Sequence, residues 1–265
     1  MDSADFLGSY LPAPGQFVNV DMYKDPSVTL AGPNSGRMVT LGSFGGSIVY
    51  EFEEPIQNSD QNPYGIDFIV YGNVQKSETG ESYSSGMEPA AVMVTQDGNT
   101  WYELAGSDYY ERTTQHNISM TYTNPDTTFK SAVDIPWTDS TGASGTVKAN
   151  TYHSQAYYPD PLNYGETNKG TGENKTYTDG SMTVSGTRVS NSAALNFGYG
   201  DTHANAAGND NTAVNPYREN PNYNTNGDGM DISWAVDADG NPLQLDSIKY
   251  INPHKNGSKQ HHKAN

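Results

Sequence analysis

No window of about eleven or more residues in this chain repeats its apolar positions at helical spacing, and that absence constrains the fold more than any other feature. Short runs recur instead, with β-branched and aromatic residues set between clusters of Gly, Pro, Asn and Asp. Strands are expected near residues 38–42, 46–53, 66–72, 90–96, 100–104, 118–123, 181–189, 193–198, 230–236 and 243–251. Many short strands with turn punctuation predict an all-β chain, an antiparallel β-sandwich of jelly-roll type, with almost no helix.

The stretch EPAAVMVTQDGNTWYEL, residues 88–104, is the clearest local case. Val92 and Val94 lie two apart and share one strand face, and Met93 and Thr95 share the other. Asp97-Gly98 is a turn signal: Gly accepts positive φ without a Cβ clash, and Asp bonds its own backbone. Trp101 is expected to open the returning strand and cover the valines. WAVDADGNPLQL, residues 234–245, reads as a second hairpin. Its DADGN starts like an EF-hand loop, but Pro242 stands where that loop needs Gly and no Glu closes it.

Hydrophobic residues make up 34 % of the 265 positions, yet Tyr alone occurs 19 times, so a core rich in Tyr and Phe rather than Leu is expected. The formal charge of −17 disfavours nucleic acid and anionic lipid as partners. Cysteine is absent, which excludes disulfides and thiolate metal sites. No apolar run approaches the ~20 residues of a membrane span. The opening MDSADFLGSY carries no signal-peptide pattern.

One domain is expected over 1–253, with a polar, disordered tail or linker at 254–265. Two long loops, about 124–180 and 199–229, fit no strand pattern. Loops of that length in a compact domain usually bind something or are disordered. Tyr109, Tyr110, Trp137, His153, Tyr157 and Tyr158 fall in loop sequence. Their rings would stack on sugars or flat macrocycles, or simply cover the sheet. No Gly-x-Ser-x-Gly or His-Glu-x-x-His motif occurs and no carboxylate pair stands out, so the chain is not expected to be an enzyme, with a paired-carboxylate glycoside hydrolase as the catalytic alternative. A structural Ca²⁺ is expected as the one cofactor, held by oxygens from scattered loops.

VMVTQDGNTWYEL resembles the closing hairpins of discoidin-like, galactose-binding-like jelly rolls. Four stretches, LPAPGQFVN (11–19), LGSFGGSIVYEFEEPIQN (41–58), GIDFIVYGN with EPAAVMVTQDG (65–98) and DGMDISWAVDADGNPLQLDSIKYI (228–251), resemble a family of bacterial cell-surface proteins common in gut Bacteroidetes and Clostridia. Relatives of that family are secreted or lipid-anchored, and some accompany cobalamin-uptake genes. The resemblance implies an extracellular or cell-surface location and non-catalytic capture of a corrinoid such as cobalamin. A glycan-binding module, or a calcium-stiffened adhesive module that meets other cell-surface proteins, is the alternative. Asp67, Asn73 and Glu88 match recurrent positions of the family and would ligate a metal or tie down loops. At 88–90 this chain has EPA where relatives often have EPG.

Overall fold

Val92 and Val94 are fully buried while Met93 between them is half-buried, so the alternation read from the sequence is realised in a strand. The computed structural model describes residues 4–5, 44–72, 89–123, 134–147, 175–178, 181–189, 195–202 and 227–255. In chain order their strands are β1 (Ala4–Asp5), β2 (Ser47–Ile48), β3 (Tyr50–Gln57), β4 (Phe68–Val70), β5 (Ala90–Thr95), β6 (Tyr102–Leu104), β7 (Gln115–Thr123), β8 (Ile135–Asp139), β9 (Ser144–Val147), β10 (Lys175–Thr178), β11 (Ser181–Arg188), β12 (Tyr199–Gly200), β13 (Asp228–Met230), β14 (Ala235–Val236) and β15 (Ser247–Lys255). Helical structure among the described residues is confined to single 3-10 turns at Pro63–Gly65 and Ile232–Trp234. The fold is all-β and antiparallel, as the missing helical periodicity predicts.

The chain divides into two units, each built from two separate stretches: residues 1–48 with 116–187, and residues 49–115 with 188–265. In the second unit β3, β15, β5, β6 and β14 lie side by side in that order, and β12 pairs with β5. Met93 faces Glu103 and Val94 faces Tyr102, which makes β5–β6 the expected hairpin. Its turn is held by Asp97, whose Oδ1 accepts from the N–H groups of Asn99 (2.8 Å) and Thr100 (3.0 Å), with Gly98 at φ 75°. The core gathers Val92, Val94, Leu104, Met230, Ile232, Ala235, Leu245, Ile248 and Ile251. The ring that packs beside the valines is Tyr102, one residue later than expected. β4 and β13 form a separate pair, with Phe68 opposite Met230.

In the first unit the strand order is β10, β11, β7, β8, β9, and β1 pairs with β2. Ile118, Met120 and Tyr122 alternate along β7 into a core with Phe44, Ile135 and Val184. The intervening residues bond across the sheet: Ser119 Oγ to Ser185 Oγ (3.0 Å) and Thr121 Oγ1 to Thr183 Oγ1 (2.8 Å).

Several expectations are corrected. The supposed loop 124–180 contains β8, β9 and β10. Asp139 drives the β8–β9 turn: its Oδ1 accepts from Thr141 N (2.9 Å), Thr141 Oγ1 (2.6 Å) and Ala143 N (2.9 Å), and Gly142 takes φ 87°. Likewise β12 and the start of β13 lie in the supposed loop 199–229. The strand expected at 193–198 sits at Tyr199–Gly200, and that expected at 230–236 is broken by the turn Ile232–Trp234. β15 runs to Lys255, and His254, assigned to a disordered tail, is buried and pairs with Ala91, because ladder pairing uses backbone groups and is indifferent to side-chain polarity. Among the described residues the core clusters hold Phe44, Tyr122 and Tyr199, and Tyr50, Phe52, Phe68 and Tyr102 pack against the second unit's core beside its buried Val and Ile. The strand expected at 38–42 lies outside the described residues.

Candidate ligand site

The segment that follows β6 in the second unit carries Tyr109 and Tyr110, and glycine sets its path. Ala105 N donates to Trp234 O (2.8 Å), and Ser107 N donates to Phe197 O (3.0 Å). Between these bonds the backbones of Gly106 and Gly198 touch: a Cβ on Gly198 would lie 2.4 Å from Gly106 Cα. Only two residues without side chains permit so close a crossing. Phe197 packs on Trp234 with centroids 5.0 Å apart, and Ser107 Oγ accepts from Asn196 N at 3.0 Å.

From Gly106 the chain makes successive tight turns. Tyr109 N donates to Gly106 O, Glu111 N to Asp108 O, and Thr114 Oγ1 to Asp108 O at 2.6 Å. This stacks Tyr109 and Tyr110 edge to face, with centroids 4.9 Å apart. Tyr109 is buried, whereas Tyr110 is 65 % exposed. The Tyr110 hydroxyl donates to Gly240 O at 3.0 Å, so the ring is held while its face stays open.

Gly240 belongs to the Asp237–Asn241 turn, which is a hairpin turn as expected. Asp237 Oδ1 accepts from Asp239 N (2.9 Å) and Asn241 N (2.8 Å), and Leu243 N closes onto Ala235 O (2.8 Å). The Asn241 N–H is the main cause that holds the Asp237 carboxyl below the ordinary range. Burial pushes the Tyr109 hydroxyl up to about 12, with Glu103, Tyr110 and Asp237 adding to it, so it keeps its proton at neutral pH. Burial likewise raises the Asp108 carboxyl.

A second polar centre ties the loop before β4 to the turn after β13. Asp67 Oδ1 accepts from Ser59 N (3.0 Å) and Asn62 Nδ2 (2.9 Å), and its Oδ2 accepts from Ile232 N (2.9 Å). Of the two roles expected for Asp67, these bonds describe the loop tie. Asp231 caps the neighbouring 3-10 turn by accepting from Ser233 N at 2.7 Å. Burial first, then the charges of Asp67 and Asp60, raise the Asp231 carboxyl above its ordinary range. A raised carboxyl favours the folded state when protonated, so that contribution is present at acid pH and is lost as pH rises through the folded value. Asp231→Asn keeps the cap without the charge. Its melting temperature relative to the parent is therefore expected to rise between about pH 4 and about pH 7, as thermal melts across that range would show. A constant difference would remove Asp231 as the cause.

A third centre is fully internal. Asp228 is 2 % exposed, and its carboxylate accepts from Thr202 Oγ1 (2.6 Å) and Thr202 N (3.0 Å). Gly72 lies against Asp201, which itself takes φ 60°. Thus residues 72, 201–202 and 228 meet at one place in the second unit.

Of the aromatic residues expected to bind ligand, Tyr109 and Tyr110 are brought together. Trp137 belongs to the first unit, where its indole covers Gly145 on the paired strand and packs against the Ile118–Val184 core. His153, Tyr157 and Tyr158 lie outside the described residues, as do Asn73 and Glu88. Among the described residues no group of three or more His, Cys, Asp or Glu side chains is placed to hold a metal ion. No helix there is long and apolar enough to cross a membrane. Sequence reading missed the Asp228–Thr202 pair and the Gly106–Gly198 crossing. Nothing local marks the first, and only the Gly-x-Gly spacing of 198–200 hints at the second. No protein-family model matches this chain, and no curated protein matches it.

Proposed function

We propose that the chain is a non-catalytic ligand-capture module of the bacterial cell surface, of jelly-roll type, with a corrinoid such as cobalamin as its ligand. The observation that carries the capture reading is Tyr110, open to solvent on its face yet pinned through its hydroxyl to Gly240 and through its edge to Tyr109. A ring already fixed loses little freedom when a flat ligand stacks on it. An acidic chain also suits a ligand that is not a polyanion. The corrinoid assignment rests on the resemblance of the four stretches to the cell-surface family. In this reading Asp67 serves to hold a loop, and a structural calcium would stiffen the module.

Gel filtration of the protein with cyanocobalamin tests the ligand. Co-elution of the red chromophore with the protein supports capture, and elution of all chromophore at the small-molecule volume removes the corrinoid. A glycan is the second reading, favoured because the open Tyr110 face is bordered by the acidic Asp237 turn, which offers acceptors for sugar hydroxyls.

A further inference from the structure

Tyr64 is 63 % exposed and takes φ 58°, ψ 15°, a left-handed conformation that bulky residues rarely adopt. Little around it requires a tyrosine there. The flanking loop is closed by other groups: Asn62 N donates to Ser59 O, Gly65 N to Asn62 O, Ile66 N to Pro63 O, and the Asp67 carboxylate receives Ser59 N and Asn62 Nδ2. Pro63 and Gly65, the latter at φ 74°, would suit an apex bearing Asn or Gly at position 64 better than one bearing a large ring. Among the described residues the Tyr64 ring is not part of any core cluster. Strain kept at an exposed aromatic, on a loop locked from below, is a sign of function rather than stability.

The surroundings indicate the chemistry. Asp231 lies against the next residue, since a Cβ on Gly65 would be 3.0 Å from its Oδ2. Asp60, Asn58 and Ser233 belong to the same loop and turn, with Ser233 Oγ donating to Asn58 Oδ1 at 3.3 Å. No basic residue occurs between 56 and 67 or between 227 and 236, so neither segment supplies a cationic side chain for an anion. An exposed aromatic ring on a loop that also carries carboxylate, amide and hydroxyl groups matches the apolar face and polar rim of a sugar ring.

We propose that Tyr64 is a stacking platform for a neutral sugar, with the Asp231 edge of the loop as the acceptor for its hydroxyls. This site is separate in sequence from Tyr110 and goes beyond the capture role proposed there. The test is affinity electrophoresis of the full chain through gels containing galactan, xylan or mannan. Wild type is expected to be retarded in at least one gel, and Tyr64→Asn is expected to lose roughly tenfold in affinity there, about the loss of one stacking contact. Because Asn accepts a left-handed backbone, Tyr64→Asn should melt no lower than wild type. Wild type running freely in all three gels overturns the proposal. So does Tyr64→Asn being retarded as strongly as wild type, or losing retention together with thermal stability, since the ring would then be structural.

Discussion

Gly198→Ala is expected to lower the free energy of unfolding by about 2–4 kcal/mol, read as a fall in the denaturant midpoint at unchanged slope. Two costs combine. Gly198 takes φ 79°, which is unfavourable to any residue with a Cβ. The added carbon would also lie 2.4 Å from Gly106 Cα and 3.1 Å from Gly106 N, and backbone atoms cannot swing away as a flexible side chain would. Relief must come from parting the two segments, which would strain the Ser107–Phe197 bond and the packing of Tyr199 against Gly106. The Tyr109–Tyr110 turn begins at that crossing, so the mutation should also loosen the proposed ligand face. A change below about 0.5 kcal/mol would mean that the two backbones do not cross in contact.

Thr202→Val is expected to cost about 2–3 kcal/mol in the same assay. Valine keeps the volume and the β-branch, so the hydroxyl is the main thing removed. That hydroxyl donates at 2.6 Å to a carboxylate that is 2 % exposed. Asp228 would keep the Thr202 backbone bond but lose the Thr202 hydroxyl, and a buried carboxylate with fewer donors than before is a large penalty. Asp228→Asn in the Thr202→Val background should recover part of the loss, because a neutral amide needs less support. An additive result for the two substitutions would deny the coupling.

The fold class was legible because turn chemistry is local. Asp97-Gly98 and Asp237–Asn241 each fold back through a carboxylate that accepts neighbouring N–H groups, and both hairpins formed where read. The same chemistry at Asp139–Gly142 went unread inside a polar, Thr-rich stretch, and with it the β8–β9 hairpin. Strand ends were less legible. Tyr199-Gly200 pairs with Ala91 and Ala90, yet glycine there reads as a break, since its use is the close approach of other backbones. His254 and Lys255 read as tail because polarity reports on side chains, whereas ladder pairing is a backbone property.

The candidate site was legible only in part. The adjacency of Tyr109 and Tyr110 in sequence carried over into an edge-to-face pair. That Tyr109 would be buried and Tyr110 open depends on the Gly240 carbonyl 130 positions away. Trp137 was read from composition as a loop ring, but its place opposite Gly145 makes it a cover for a strand. Asp67 was read as either ligand or tie, and the three donors that settle on its oxygens come from residues 59, 62 and 232, which no spacing rule connects.

Calorimetric titration of the protein with cyanocobalamin, in calcium-containing buffer and with Tyr110→Ala alongside, tests corrinoid capture most directly. One-to-one binding with a dissociation constant below about 1 μM is expected, weakened at least about tenfold in Tyr110→Ala. No heat at any accessible concentration, or equal affinity in the variant, would contradict it.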